Sequence, residues 1–210
     1  MLRNSATLLQ SLGRLDEALA LSEAVVRRDP VNVSALFNLG IDQRYVGRFD
    51  AAIASLRTVL SLAPGRGNAH VQLGTSLLQK GDMQGALAEI EQETSEAWKM
   101  IGLPMAYHAL GRKADSDAAL AALIAKYEKD ASFNIAGVHA FRGEADQAFE
   151  WLDKAIENGD TGLSDIAVEN LFANLHSDPR WLPFLRKIGK APEQLAKIDF
   201  KVTLPQDGRQ

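Results

Sequence analysis

The 210-residue sequence has no cysteine, which removes disulfide scaffolds, thiolate metal sites and cysteine nucleophiles at once. β-Branched residues are scarce: Val, Ile and Thr together number 26, against 31 Ala and 28 Leu. That balance excludes a β-sandwich or a parallel sheet as the organising element and favours an all-α chain. No apolar run approaches the ~18 residues of a membrane span, so direct membrane insertion is not expected, and no secretory signal opens the chain. An excess of positive charge is missing too. The formal net charge is −4, which argues against a nucleic-acid partner. A cytoplasmic location follows, or a periplasmic one if a parent protein carries an upstream membrane span.

What is present is a repeat. Gly13, Gly47 and Gly81 are spaced by 34 residues, as are Pro30 and Pro64, and Leu39-Gly40 and Leu73-Gly74. The text around the glycines repeats as well: Gly13-Arg14-Leu15-Asp16-Glu17-Ala18, Gly47-Arg48-Phe49-Asp50-Ala51-Ala52 and Gly81-Asp82-Met83-Gln84-Gly85-Ala86. Apolar residues then follow at helical spacing, as in Ile53, Leu56 and Leu60. Each mark has a physical reason. The glycines suit the left-handed end of a first helix A. Small residues at Ala18, Gly40, Ala52, Gly74 and Ala86 let paired helices approach closely. Pro30 and Pro64 stop helix B, because proline lacks the next N–H.

This pattern resembles the tetratricopeptide repeat. In 33–66, Leu36, Leu39, Gly40, Ala52, Leu56, Val59 and Pro64 fall where that family wants large, large, small, small, large, apolar and Pro. The resemblance implies a right-handed α–α superhelix, a solenoid of about five helix pairs over 1–32, 33–66, 67–94, 95–128 and 129–160. A C-terminal capping helix within 161–189 closes a single domain of 1–189, and a tail of 190–210 follows.

Later repeats depart from the template. Gly111 and Gly143 continue the glycine series at spacings of 30 and 32. The shortening at Glu93-Thr94-Ser95-Glu96 predicts an early end to the third helix B. Pro104, at a small position, predicts a kink or a helix start. Near the end, Asp178 and Pro179 read as a helix start, Trp181, Phe184, Leu185 and Ile188 as one apolar stripe, and Gly189 as its stop. Residues 192–198 add a turn or two. Residues 199–205 alternate, with Phe200, Val202 and Leu204 on one side, and read as extended, while 206–210 should fray. The outer face of the first helix pair is expected to be uncovered, so that this pair opens first.

A second resemblance lies in Phe149-Glu150-Trp151-Leu152-Asp153-Lys154-Ala155, Asp160-Thr161-Gly162-Leu163 and Leu175-His176-Ser177-Asp178-Pro179-Arg180-Trp181. These are similar to the C-terminal repeat arrays of multidomain bacterial regulators that carry a cyclase, kinase or winged-helix domain. The resemblance implies a module of a larger regulatory protein, and Met1 falling inside a helix A agrees with a chain cut from something longer.

Nothing in the text points to catalysis. His70, His108, His139 and His176 never take the i, i+4 spacing of a helical metal pair, so no metal or other cofactor is expected. Acidic pairs such as Asp16-Glu17 sit in helix-starting turns, where the dipole favours them. Gly65-Arg66-Gly67 lacks the spacing of a phosphate loop.

Function is therefore expected on the concave face, which in this family is lined by helix A. The resemblance places Ser34, Phe37, Asn38, Ile41, Arg44 and Tyr45 there from the second repeat. The third contributes Asn68, Val71, Gln72, Thr75, Leu78 and Gln79. The fourth contributes Trp98, Ile101, Gly102, Met105, His108 and Ala109, and the fifth Phe133 and Asn134. Phe37 and Val71 replace the lysines of members that clamp a C-terminal carboxylate, and Arg44 is the groove's one cation, so such a clamp is not expected. Two roles compete, and an enzyme or small-ligand sensor is kept in view behind them. One is a non-catalytic interaction scaffold that holds a partner peptide or helix in the groove. The other is a structural or self-associating array, a homodimer included, whose groove is filled by its own tail or another copy.

Overall fold

In the computed structural model, which describes residues 2–202, every regular element is helical. Five helix hairpins follow one another: α1 (Leu2–Ser11) with α2 (Leu15–Arg28), α3 (Val33–Tyr45) with α4 (Phe49–Leu62), α5 (Ala69–Lys80) with α6 (Met83–Glu91), α7 (Glu96–Ala109) with α8 (Lys113–Tyr127), and α9 (Ser132–Phe141) with α10 (Ala145–Glu157). Successive hairpins stack, α2 on α3, α4 on α5 and α6 on α7, while α3, α5, α7 and α9 lie side by side. The product is the expected solenoid.

Two local devices make it. Gly13, Gly47, Gly81, Gly111 and Gly143 all have positive φ, between 71° and 95°, so each closes a first helix as the repeat predicts. The small positions are set by contact between the paired helices. A Cβ on Gly74 would lie 2.6 Å from Ile90 Cγ1, and one on Gly40 would lie 2.8 Å from Leu56 Cγ. The third repeat is short as expected, α6 ending at Glu91 and α7 starting at Glu96. Pro104 neither starts nor stops α7. It sits buried inside the helix, and its carbonyl accepts Ser116 Oγ of α8 at 2.7 Å.

A continuous apolar core runs from Leu36 in α3 to the C-terminal region, and the first hairpin has a core of its own around Ala6, Leu9, Ala18 and Leu21. One buried acid bridges that hairpin to the second. Asp42 of α3 is fully buried and accepts Gln10 Nε2 of α1 and Ser22 Oγ of α2. Burial among neutral donors pushes its carboxyl up to about 6.

The C-terminal region departs from a simple cap. After α10 come two 3₁₀ turns, Thr161–Asp165 and Asn170–Leu175, then α11 (Trp181–Lys187) and α12 (Pro192–Leu195). The 3₁₀ turns lie on α9, and the first also reaches α1. α11 covers the end of the array: Phe184 meets Phe149 of α10 at 6.3 Å, and Trp181, 7% exposed, stacks on Phe172 at 6.1 Å. Asp178 Oδ1 accepts the Arg180 amide at 2.9 Å, as expected of a residue that caps a helix start, although the regular helix begins only at Trp181.

The open outer face expected for the first hairpin is corrected by the tail. Residues 199–202 are neither helix nor strand, yet Phe200 and Val202 pack on the α1–α2 core, and Arg14 donates to the Phe200 carbonyl. Lys190 Nζ further donates to the Ser11 carbonyl at 3.0 Å. The extended strand expected over 199–205 lies partly, and the frayed 206–210 wholly, outside the described residues.

Candidate functional site

The first helices of the hairpins present the concave side, and the chain's own residues 160–176 fill part of it. Arg44, expected to be the groove's free cation, is instead 1% exposed and paired with Glu169 through two bonds of 2.8 and 2.9 Å. Asn170 Nδ2 donates to the Arg44 carbonyl at 3.1 Å. Burial works against the Glu169 charge, but the Arg44 guanidinium overrides it and holds the carboxyl below its ordinary value. Tyr45, between them, is pushed well above its ordinary value, chiefly by burial. No ligand can reach Arg44 without displacing Glu169.

Beside this ion pair the groove stays open as a cavity of about 430 Å³. Asn38, Ile41 and Tyr45 of α3, Asn68 and Gln72 at the start of α5, and Trp98 of α7 form one side, joined by Phe133 and Asn134 of α9. Asn68 is the one non-glycine residue of positive φ (68°) among the described residues. It stands at the N-cap of α5, yet its side chain does not cap the helix, unlike that of Asn32, which accepts the Ala35 amide at 3.0 Å before α3. The Asn68 Oδ1 and Gln72 Oε1 atoms are both buried and without a hydrogen-bond donor. The other such side-chain atoms among the described residues are Arg44 Nε, Gln79 Oε1, Glu93 Oε2 and His139 Nε2, so what sets these two apart is that they share one cavity.

Other expected groove residues are spent on packing. Phe37 is 6% exposed beneath the Arg66 guanidinium, whose carbon lies 4.4 Å from the ring centre. Val71 is buried with Leu87, Ile90 and Ala106. Thr75, Leu78, Ile101, Gly102 and Met105 are likewise buried. The expectation that Phe37 and Val71 line the groove is thereby corrected, because their own neighbours cover them. Ser34, Gln79 and Ala109 are half-buried and lie off the cavity, although Gln79 Oε1 is also a buried acceptor without a partner. His108 is exposed, edge-on to Phe141 at 6.1 Å, in a separate depression with Arg142 and Glu144.

The remaining histidines are occupied singly: His70 with Glu89 at 2.9 Å, His139 with Glu144 at 2.7 Å, and His176 against the Trp181 ring at 5.0 Å. Among the described residues no group of three His, Asp or Glu is placed to hold a metal, and no helix is long and apolar enough to cross a membrane.

Sequence reasoning missed the far side of the cavity. Gln10 of α1, together with Asp130, Asp160, Asp165 and Glu169, lines it. Gln10 stands one repeat before Arg44 on a first helix and was within reach of the repeat template. Asp130, by contrast, lies in an inter-repeat turn, and Asp160, Asp165 and Glu169 in an aperiodic segment after the fifth hairpin, to which the template assigns no groove position. The available signal was the cluster of acids and helix-breaking glycines between 157 and 169.

Comparison with known sequences agrees with the repeat. The sequence model of the tetratricopeptide repeat matches residues 4–41, 38–99 and 105–162. The chain belongs to the tetratricopeptide repeat family. Members are protein-interaction scaffolds, and the fold generally works without catalysis. A curated relative, the tetratricopeptide repeat and J domain-containing co-chaperone DNJ1 of Fusarium oxysporum, is 37% identical over 79 residues, which is 38% of this chain but only 15% of that protein. Among solved structures, the tetratricopeptide repeat protein TTC0263 of Thermus thermophilus has a TM-score of 0.62 at 20% identity, covering 83% of this chain and 97% of its own. A tetratricopeptide repeat protein of Parabacteroides merdae has a TM-score of 0.58 at 18% identity, covering 89% and 75% respectively. These likenesses concern the fold.

Proposed function

We propose that this tetratricopeptide repeat chain is a non-catalytic scaffold that captures a peptide or helix of a partner protein in the concave cavity. The carrying observation is the pair of buried acceptors without donors, Asn68 Oδ1 and Gln72 Oε1. Each such group costs about 1–3 kcal/mol when left unmade, and a ligand's backbone N–H recovers that cost. Asn38 stands one repeat before Gln72 and lines the same cavity, so the amides form a row along which an extended segment can bond. Within this reading the chain is a module of a larger bacterial regulatory protein, which the resemblance of 149–181 to regulator arrays supports.

The test is selection of binders from a random peptide display library with the intact chain as bait, followed by titration against Asn38→Ala and Gln72→Ala. Phe37→Ala is not a clean probe, because Phe37 belongs to the core. Loss of one backbone hydrogen bond should weaken binding by about 0.5–1.5 kcal/mol per variant. Selected peptides that bind both folded variants like the parent would overturn groove capture and direct attention to the convex face.

A second reading is favoured by one observation, the buried Arg44–Glu169 pair: the groove is a structural seam that the chain's own segment fills. In that case no peptide is selected, and the mass in solution, monomer or homodimer, does not respond to Glu169→Ala.

A further inference from the structure

A captured segment has to suit the charge of the cavity that holds it. Asp130, Asp160, Asp165 and Glu169 line the cavity, and among the described residues no Lys, Arg or His does. Two of these acids are already engaged. Asp160 accepts the Phe133 and Gly162 amides at 2.9 Å, one on each oxygen, and Glu169 is neutralised by Arg44. Asp165 has much less. Ser164 Oγ donates to it at 3.2 Å, and the Lys190 and Arg44 charges act on it without a direct bond, Lys190 directing its donors to the Ser11 and Ser164 carbonyls and Arg44 to Glu169. Burial first, and then the neighbouring Glu169 charge, push the Asp165 carboxyl above its ordinary value. Independently of the acids, the Asn68 and Gln72 oxygens at the same cavity are buried acceptors with no donor. Trp98 adds aromatic surface of the kind that attracts cations, whereas the Tyr45 ring already lies under the Arg44 guanidinium at 4.6 Å.

Resting on groove capture, we propose that the cavity takes a cationic side chain, Lys or Arg, of the captured partner segment, with its N–H groups donating to Asp165 and to the Asn68 and Gln72 oxygens. An ammonium or guanidinium supplies several donors and no acceptor, which is what this lining lacks. A segment with Asp or Glu at that place meets like charge and further unpaired acceptors. The specificity is opposite in sign to that of a carboxylate clamp.

The experiment uses the peptides selected by the intact chain. Under the proposal they are enriched in Lys or Arg. Replacing that residue by Met weakens binding to the parent chain about tenfold or more, and raising the salt concentration weakens it further. Asp165→Asn reduces the same discrimination, with circular dichroism as the control for its fold, while the Met replacement needs no protein variant. If the selected peptides lose affinity on Asn38→Ala and Gln72→Ala but show no basic preference and tolerate Met, the cationic pocket is overturned and groove capture stands. Should they bind those two variants like the parent, both are overturned.

Discussion

Asp42→Asn should stabilise the protein near neutral pH and do so less and less as the solution is acidified. The carboxyl is fully buried, its described donors are the neutral Gln10 and Ser22, and it titrates at about 6 instead of its ordinary 3.8. Because the folded value is the higher one, Asp42's contribution is complete below 3.8 and is lost as pH rises through about 6. At 1.36 kcal/mol per pH unit, the shift from 3.8 to about 6 amounts to about 3 kcal/mol of penalty in the fully ionised protein. About 0.5 kcal/mol of this is already present near pH 4, which leaves about 2.5 kcal/mol to develop by about pH 7.5. Asn is never ionised and escapes all of it. Its amide must donate to Ser22, whose hydroxyl can turn to accept, and that rearrangement costs about 0.5–1.5 kcal/mol at every pH. The assay is urea unfolding of parent and variant at a series of pH values, comparing midpoints at equal slope. The variant-minus-parent difference should therefore rise by about 2.5 kcal/mol across this range, whatever its offset. A difference that stays flat would refute the claim that Asp42 is desolvated and uncompensated.

Arg44→Ala should cost about 3–5 kcal/mol in the same unfolding assay, since it leaves Glu169 buried without its partner; joint replacement with Glu169→Leu should recover much of the loss. Trp181→Ala should cost about 3–5 kcal/mol, because the ring is 7% exposed between Phe172, Phe184 and His176. A loss under about 1 kcal/mol would mean that α11 is not docked. Phe200→Ser should accelerate hydrogen exchange in α1 and α2 without changing α9 and α10, as expected of a one-dimensional array whose first hairpin is covered by the tail. Equal exchange in parent and variant would remove that cover from the account.

Much of the fold was legible because each repeat mark answers a local demand. Gly47 and Gly81 supply the positive φ at a helix end, and Gly40 and Gly74 make room for Leu56 and Ile90. Even the irregular third repeat could be read, since its shortening is a matter of counting residues between glycines. The candidate site was legible only by half. The family resemblance placed Asn38, Ile41, Asn68, Gln72 and Trp98 in the groove, and they line one cavity. It could not say that Arg44 is claimed by Glu169, 125 residues further on, because that bond joins the repeat to an aperiodic segment. Phe37 and Val71 were misplaced for a related reason. A helix in a stacked array buries more than its paired face, and the Arg66 side chain over Phe37 comes from the inter-repeat turn, which the template leaves variable.

The most direct test of partner capture is hydrogen–deuterium exchange of the intact chain with and without a peptide selected on it. Capture in the cavity predicts slower exchange at the start of α5, in α3 around Asn38 and Ile41, and in residues 160–169, with α2, α4 and α8 unchanged. Protection confined to those second helices, with α3, α5 and residues 160–169 exchanging as in the free chain, would contradict it.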